Sequence, residues 1–172
     1  MSAPLRLDTR QLPQAVSTLR MGERVLLSGT IYTARDAAHK RIFQLLDEGK
    51  PLPFELKGAV IYYAGPTPGQ QGMDAFPPRL LDLGLTAMIG KGERSRAVVD
   101  AIVRNGACYF AAVGGAGALI AKCIRTAEVI AFDDLGCESV KRMEVADLPL
   151  TVAIDSRGND LFQEGRAAYR RA

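Results

Sequence analysis

The chain has 172 residues, enough for one domain with its own core, and its 48% hydrophobic and 24% charged content is that of an ordinary globular protein. The net charge of +3 is mild and the Lys and Arg residues are scattered; with 6% aromatics and no tryptophan, neither a nucleic-acid groove nor a base-stacking platform is indicated. There is no apolar signal region at the N-terminus and no apolar run near the ~20 residues of a membrane span, so a cytoplasmic protein without a membrane partner is expected.

In chain order, Arg6–Thr9 reads as a short extended segment, and Val25–Tyr32 as a β-rich strand that ends in polar groups. Asp36 is placed to cap a helix whose apolar stripe is Ala38, Ile42, Leu45 and Leu46, closed by Gly49. Gly58–Ala64 is a buried strand, and residues 65–72 form a loop by composition. Pro77 and Pro78 open a helix carrying Leu80, Leu81 and Leu83. Thr86–Gly90 is a short strand and Ser95–Arg104 a helix with Gly106 at its end. Cys108–Val113 is a strand that breaks at Gly114-Gly115 into a helix from about Ala116 to Arg125. Glu128–Phe132, Val140–Val145 and Leu150–Ile154 are strands, Asp155–Asp160 is a hairpin turn, and Gly165–Ala172 is a basic, frayed tail. Strands alternating with helices in the middle and a more purely β pattern at the ends predict a single layered α/β domain with a mixed sheet.

Cys108, Cys123 and Cys137 are far apart and form no CxxC pair, so reduced thiols are expected, and a zinc knuckle or a cluster held by this chain alone is not. Gly90-Lys91-Gly92 evokes a phosphate loop, but Leu85 stands where the Walker pattern needs glycine and Gly92 where it needs Ser or Thr. Gly115-Ala116-Gly117 fails the dinucleotide pattern because Ile120 occupies the third glycine position. Both stretches remain glycine turns between strand and helix, where a ligand can approach backbone N–H groups or where packing is simply tight. The most informative run is Ser28–Arg41, in which a strand opens into a helix with Arg35 at its N-terminus and the single histidine, His39, one turn on. Two positive groups beside a helix dipole make a seat for a carboxylate. Each residue also has a plainer reading: Lys91 as a solvated loop lysine, His39 as a partly buried hydrogen-bonding residue, Arg35 and Arg41 as a solvated helix face, and Asp36 as an N-cap.

In combination the segments resemble the β subunit, or C-terminal domain, of iron–sulfur (class I) fumarases and L-tartrate dehydratases. The matching stretches are Gly29–Arg41, Leu52-Pro53-Phe54, Tyr62–Pro66, Met73-Asp74, Ile89–Gly92, Ala111–Ala116 and Ala131–Gly136, together spanning roughly residues 5 to 160. The resemblance implies a swivelling β/β/α-type domain. It implies a partner α subunit that binds a [4Fe–4S] cluster through its own cysteines, an α2β2 assembly, and reversible hydration of fumarate to malate, a step of the tricarboxylic acid cycle. No metal site on this chain is implied. By the same resemblance Arg35 clamps one carboxylate of the C4 dicarboxylate, a task that suits a bidentate fork. Lys91 is an active-site point charge for the second carboxylate or for developing charge. His39 is assigned with Lys91 to the catalytic set, and Asp36, Gly90 and Thr33 with Arg35 to the substrate-binding set; His39 and Asp36 are taken as supporting groups that orient Arg35.

The departure from the family lies after Tyr62–Pro66. The family carries a longer loop ending in Gly-Pro-Thr-Thr-x-x-Arg-Met-Asp, which supplies a threonine implicated as a base and a second carboxylate-binding arginine. Here residues 65–72 run directly into Met73-Asp74, about a dozen residues short, with Gly72 where the arginine belongs; Thr67 does not replace the threonine. One explanation is a segment omitted from the sequence, as for a loop ordered only with partner and substrate, and this is the preferred one. It predicts a Cα–Cα step longer than 3.8 Å between Gly69 and Met73. The other is a true deletion that cripples or alters the chemistry. Three functions compete: an enzyme subunit acting on fumarate or tartrate, a non-catalytic paralogue that binds the α subunit, and a free-standing small-anion binder.

Overall fold

The computed structural model describes residues 3–63, 76–112 and 121–165. Its element order is β1 (Leu5–Asp8), α1 (Leu12–Ala15), a 3-10 turn (Val16–Thr18), β2 (Arg24–Thr33), α2 (Asp36–Asp47), β3 (Val60–Tyr62), α3 (Pro77–Asp82), β4 (Ala87–Gly90), α4 (Arg96–Asn105), β5 (Cys108–Ala112), β6 (Ile124–Ala131), a 3-10 segment (Asp133–Glu138) and β7 (Val140–Ile154).

The mixed α/β expectation holds. Seven strands form one sheet in the order β1-β2-β3-β4-β5-β7-β6, and β2 also pairs with β7. That extra pairing closes β2, β3, β4, β5 and β7 into a ring. Strands β2 to β5 run parallel, and β7 returns antiparallel to both β2 and β5.

Alternation along each strand divides the core in two. Val25, Leu27, Ile31, Val60, Tyr62, Ala87, Ile89, Cys108, Phe110, Leu150 and Val152 meet inside the ring, with Leu12, Val16 and Leu19 of the α1 region packed among them. Ile61, Met88, Tyr109 and Ala153 face the other way, onto Ala38 and Ile42 of α2, Leu80 and Leu81 of α3, and Val98 and Ile102 of α4.

Two predicted closing strands turn out to be one 15-residue strand, β7. The inward face switches from Met143 and Val145 to Leu148, Leu150 and Val152, an odd-to-even change that breaks the period in the sequence. A β-bulge is the cause. Leu27 pairs with Leu148 but Gly29 with Val145, so β7 holds an extra residue there, and Asp147 takes φ 51°. The Ser28 hydroxyl accepts the Asp147 N–H at 2.9 Å. Gly29 is needed on the facing strand, since a Cβ there would lie 2.3 Å from Thr9 Oγ1 and its φ is +117°.

Helix α4 follows expectation closely. Ser95 is its N-cap, accepting from Val98 N, and Gly106 closes it in the left-handed region. In α2 the cap position belongs to Arg35, with Asp36 as the first helical residue, so the expected Asp36 cap lies one residue too far along. Residues 121–123 end the predicted 116–125 helix and β6 begins at Ile124. The Gly114-Gly115 turn, the 65–72 loop with the Gly69–Met73 step, Met73-Asp74 and the basic tail beyond Gly165 lie outside the described residues.

Candidate functional site

Parallel strands place their carboxyl ends on one edge, and in α/β sheets that edge is where ligands bind. Here Thr33 ends β2, Tyr62 ends β3 and Gly90 ends β4. Thr33 is level with Tyr62, and Tyr62 with Ile89, the residue before Gly90. Two inter-strand steps put the Arg35 and Lys91 turns about 10 Å apart along this edge, within joint reach of two long side chains.

Arg35 follows Thr33 by two residues. Its φ of −118° and ψ of −174° are extended, and its carbonyl accepts from His39 N at 2.9 Å, the first intrahelical bond of α2. The Arg35 side chain is half-buried, and among the described residues no hydrogen bond or ion pair engages its guanidinium. The fork therefore stands at a helix N-terminus, free to accept a bidentate anion.

Arg41, six residues on, is occupied. It forms a two-point ion pair with Asp134 and lies 5.5 Å over the Phe132 ring, tying α2 to the 133–138 segment. The Arg41 guanidinium holds the Asp134 carboxyl below its ordinary range. One arginine of the motif is thus structural and the other available.

His39 is placed differently from its expected supporting role. It is fully buried, and its ring stacks on Tyr63 at 4.8 Å and on Phe76 at 5.0 Å, near-parallel to both. Burial pushes its pKa down to about 3, opposed weakly by the backbone of Ala34, so the imidazole is neutral at physiological pH. Among the described residues neither ring nitrogen has a hydrogen-bond partner within normal geometry. Tyr63 and Phe76 flank residues 64–75 in sequence, so this ring clamps both roots of the connection between β3 and α3 instead of facing the open edge.

Lys91 is exposed at the start of the turn after β4, and Gly92 takes φ 79°. Beneath the turn lies a group that the sequence reading missed. Arg94 is only 5% exposed; its Nη2 donates to Lys91 O and to Tyr109 Oη, both at 3.2 Å. Tyr109 Oη in turn donates to Gly92 O at 2.8 Å. Gly90 is needed for a steric reason, since a Cβ there would lie 2.6 Å from Arg94 Nη2. The available signal was an arginine two residues after Gly-Lys-Gly, but spacing alone does not tell a solvated arginine from a buried one.

Among the described residues no group of three or more His, Cys, Asp or Glu side chains could hold a metal ion. Cys108 and Cys123 are buried and Cys137 is exposed on a separate segment; burial also drives the Cys108 thiol well above its ordinary range. This donor set does not fit an iron–sulfur cluster, so no chemistry is routed through one on this chain. Of two open grooves among the described residues, the larger, about 590 Å³, sets Lys57 against Glu55 and Asp82, a poor charge balance for a dianion; the smaller, about 370 Å³, runs from Arg10 past Thr30 and Tyr32 of β2 to Glu55 and Lys57. No helix among the described residues is long and apolar enough to cross a membrane.

Comparison with known proteins gives the family. The family model described as "Fumarase C-terminus" matches residues 2–165. The chain is 37% identical to fumarate hydratase 2 of Leishmania major, covering 88% of this chain and 29% of that protein. It is 36% identical to the anaerobic class I fumarate hydratase of Escherichia coli, covering 90% and 31%. It is 34% identical to the putative L(+)-tartrate dehydratase subunit beta of Methanocaldococcus jannaschii, covering 87% and 86%. The chain therefore spans about a third of the length of these fumarate hydratases. With a match over nearly its whole length and the strand-end cations in place, the chain belongs to the fumarase C-terminal family.

Proposed function

We propose that this chain is the carboxylate-binding β half of an iron–sulfur hydro-lyase that interconverts fumarate and malate in the cytoplasm. A partner α subunit would carry the [4Fe–4S] cluster, in an α2β2 assembly. The observation that carries the reading is the Arg35 guanidinium, held at the N-terminus of α2 on the strand-end edge with no protein partner among the described residues. Arg35 takes one carboxylate as a two-point fork, with the α2 dipole adding to the attraction. Lys91, about two strands away, supplies a point charge to the second carboxylate or to the negative charge that develops as water adds to the alkene. The cluster chemistry belongs to the partner, and this chain binds and orients the dianion.

L-Tartrate dehydratase β subunit is the second reading. It is supported by 34% identity over 86% of one such subunit, against 36–37% for the fumarate hydratases. Two carboxylates are common to both substrates, and Arg35 and Lys91 serve either.

The short 65–72 loop favours a third reading, an α-binding paralogue without turnover. The sequence is continuous through it. The match to the Leishmania protein extends over 166 positions while taking in only 88% of the 172 residues, so the relative holds residues with no counterpart here. If the short stretch is a property of the chain, any turnover proceeds without the family's second arginine; if a segment is missing from the sequence as written, the first reading stands.

The test is reconstitution with a cluster-loaded α chain, assayed for fumarate hydration and for tartrate dehydration. Fumarate turnover that disappears in Arg35→Ala supports the first reading, and preference for tartrate supports the second. Complex formation without turnover of either selects the third; no complex and no turnover overturns all three.

A further inference from the structure

The turn that carries Lys91 has a built support, made by the Arg94 side chain from the same connection and the Tyr109 side chain from β5. We propose that Arg94 and Tyr109 are positioning residues that fix the Lys91 backbone for the reaction, an inference that rests on the active-site role given to Lys91 above.

Gly92, at φ 79°, gives the turn a left-handed residue, and a glycine there leaves the backbone few intrinsic restraints. The two carbonyls on either side of Gly92 N–Cα are nevertheless both bonded. Arg94 Nη2 reaches Lys91 O at 3.2 Å and Tyr109 Oη reaches Gly92 O at 2.8 Å.

The two supports are themselves linked. The phenol has one proton, which it gives to Gly92 O, so it receives Arg94 Nη2 as an acceptor at 3.2 Å. The guanidinium also lies 4.8 Å over the Tyr109 ring. Tyr109 is fully buried, and its strand is hydrogen-bonded to β4, so the phenol is anchored to the strand that ends at Lys91.

An arginine with only 5% of its surface exposed is expensive to keep, and an apolar residue would fill the same volume at lower cost. The choice of Gly90 points the same way. Any side chain there would meet the guanidinium at 2.6 Å and displace it. Gly90, Arg94 and Tyr109 form one unit whose hydrogen bonds hold the successive carbonyls of Lys91 and Gly92, while the Lys91 side chain stays exposed at the edge.

The experiment uses the assembled protein with its cluster-bearing partner. Fumarate turnover and amide hydrogen exchange at residues 91–93 are measured in Tyr109→Phe, Arg94→Lys, Arg94→Met, Lys91→Ala and the Lys91→Ala/Tyr109→Phe pair. Tyr109→Phe keeps the ring and loses one hydroxyl, so it folds even if Arg94→Met does not. Its expected result is about tenfold faster exchange at the turn, unchanged exchange in β1, and a ten- to hundredfold fall in kcat/KM, the scale of a displaced catalytic group. Arg94→Lys, which keeps the charge and a donor, recovers part of the loss seen in Arg94→Met. The double variant is no slower than Lys91→Ala, because a residue acting through Lys91 has nothing left to position.

Unchanged exchange in Tyr109→Phe, normal turnover despite faster exchange, or losses that add in the double variant would each overturn the proposal. Full turnover in Lys91→Ala would instead overturn the role of Lys91 itself and take the positioning role with it. The exchange data would still show whether Arg94 and Tyr109 hold the turn.

Discussion

The two ends of the closed sheet treat charge in opposite ways. At the end where β7 finishes, Asp155 is buried and answered completely. It accepts from Met21 N, Arg157 N, Asn159 N and Asn159 Nδ2 at 3.0–3.1 Å. Burial alone would push its carboxyl up, but these four N–H donors outweigh it and hold the group below its ordinary range. At the other end Arg35 is presented on a helix N-terminus with no protein anion among the described residues. A charge answered by its own chain makes structure, whereas a charge held in position without such an answer is the kind a ligand can meet, the role proposed for Arg35. Arg94 stands between the two cases, a buried cation answered by carbonyl and phenol oxygens so that a neighbouring lysine can be presented.

The contrast is broken most severely at the open end. Arg35→Ala is expected to cost about 3 kcal/mol of transition-state stabilisation, roughly a hundredfold in kcat/KM, because a charged fork on a carboxylate is lost. Thermal unfolding of that variant should match the parent, since among the described residues no hydrogen bond or ion pair engages the guanidinium. A coincident loss of stability would show that Arg35 is structural.

At the closed end the effects reverse. Asp155→Ala leaves the Met21, Arg157 and Asn159 amides without their acceptor and should lower stability by about 3 kcal/mol in urea unfolding, at 1–3 kcal/mol for each unsatisfied buried group less what water recovers. Its carboxyl is lowered in the folded state, so the stability it adds is full above the unfolded value near 4 and is lost as pH falls below it. Asp155→Asn should flatten that acid limb.

His39 sharpens the comparison from the core. Its folded pKa is about 3 against 6.5 for a free imidazole, so between those values the unfolded chain takes up a proton that the folded chain refuses. Stability is full above pH 6.5 and falls as pH drops, by about 2 kcal/mol between pH 7 and pH 5. His39→Phe, which keeps a flat ring between Tyr63 and Phe76, should abolish that slope in denaturant titrations at the two pH values. A slope that persists would mean that His39 titrates normally and is not the enclosed ring described. The smallest effect is expected at Ser95→Ala, where loss of the α4 cap should cost about 1 kcal/mol or less.

Much of the molecule was legible in one dimension. The Ala38/Ile42 stripe, the extent of α4 up to Gly106, and the apolar runs of β3 and β4 follow from periodicity and cap chemistry, which are local. The Arg35 and Lys91 turns were also legible, because a strand ending in polar groups before a helix marks the edge where parallel strands finish. Pairing of β2 with both β3 and β7 was not, since closure of a sheet depends on contacts more than a hundred residues apart. The β7 bulge escaped for a related reason: one extra residue at Asp147 inverts the inward face, so a single strand carries two out-of-phase patterns.

The sequence by itself determined which residues carry charge, where helices start and stop, and the family to which the motifs point. Only the tertiary structure decided what each charge is for. Arg35, Arg41 and Arg94 are the same side chain within 60 positions, yet among the described residues one has no partner, one is paired with Asp134 and one is buried against Tyr109. An arginine's role is set by the desolvation and partners that folding brings to it, and those come from distant segments that no local pattern records.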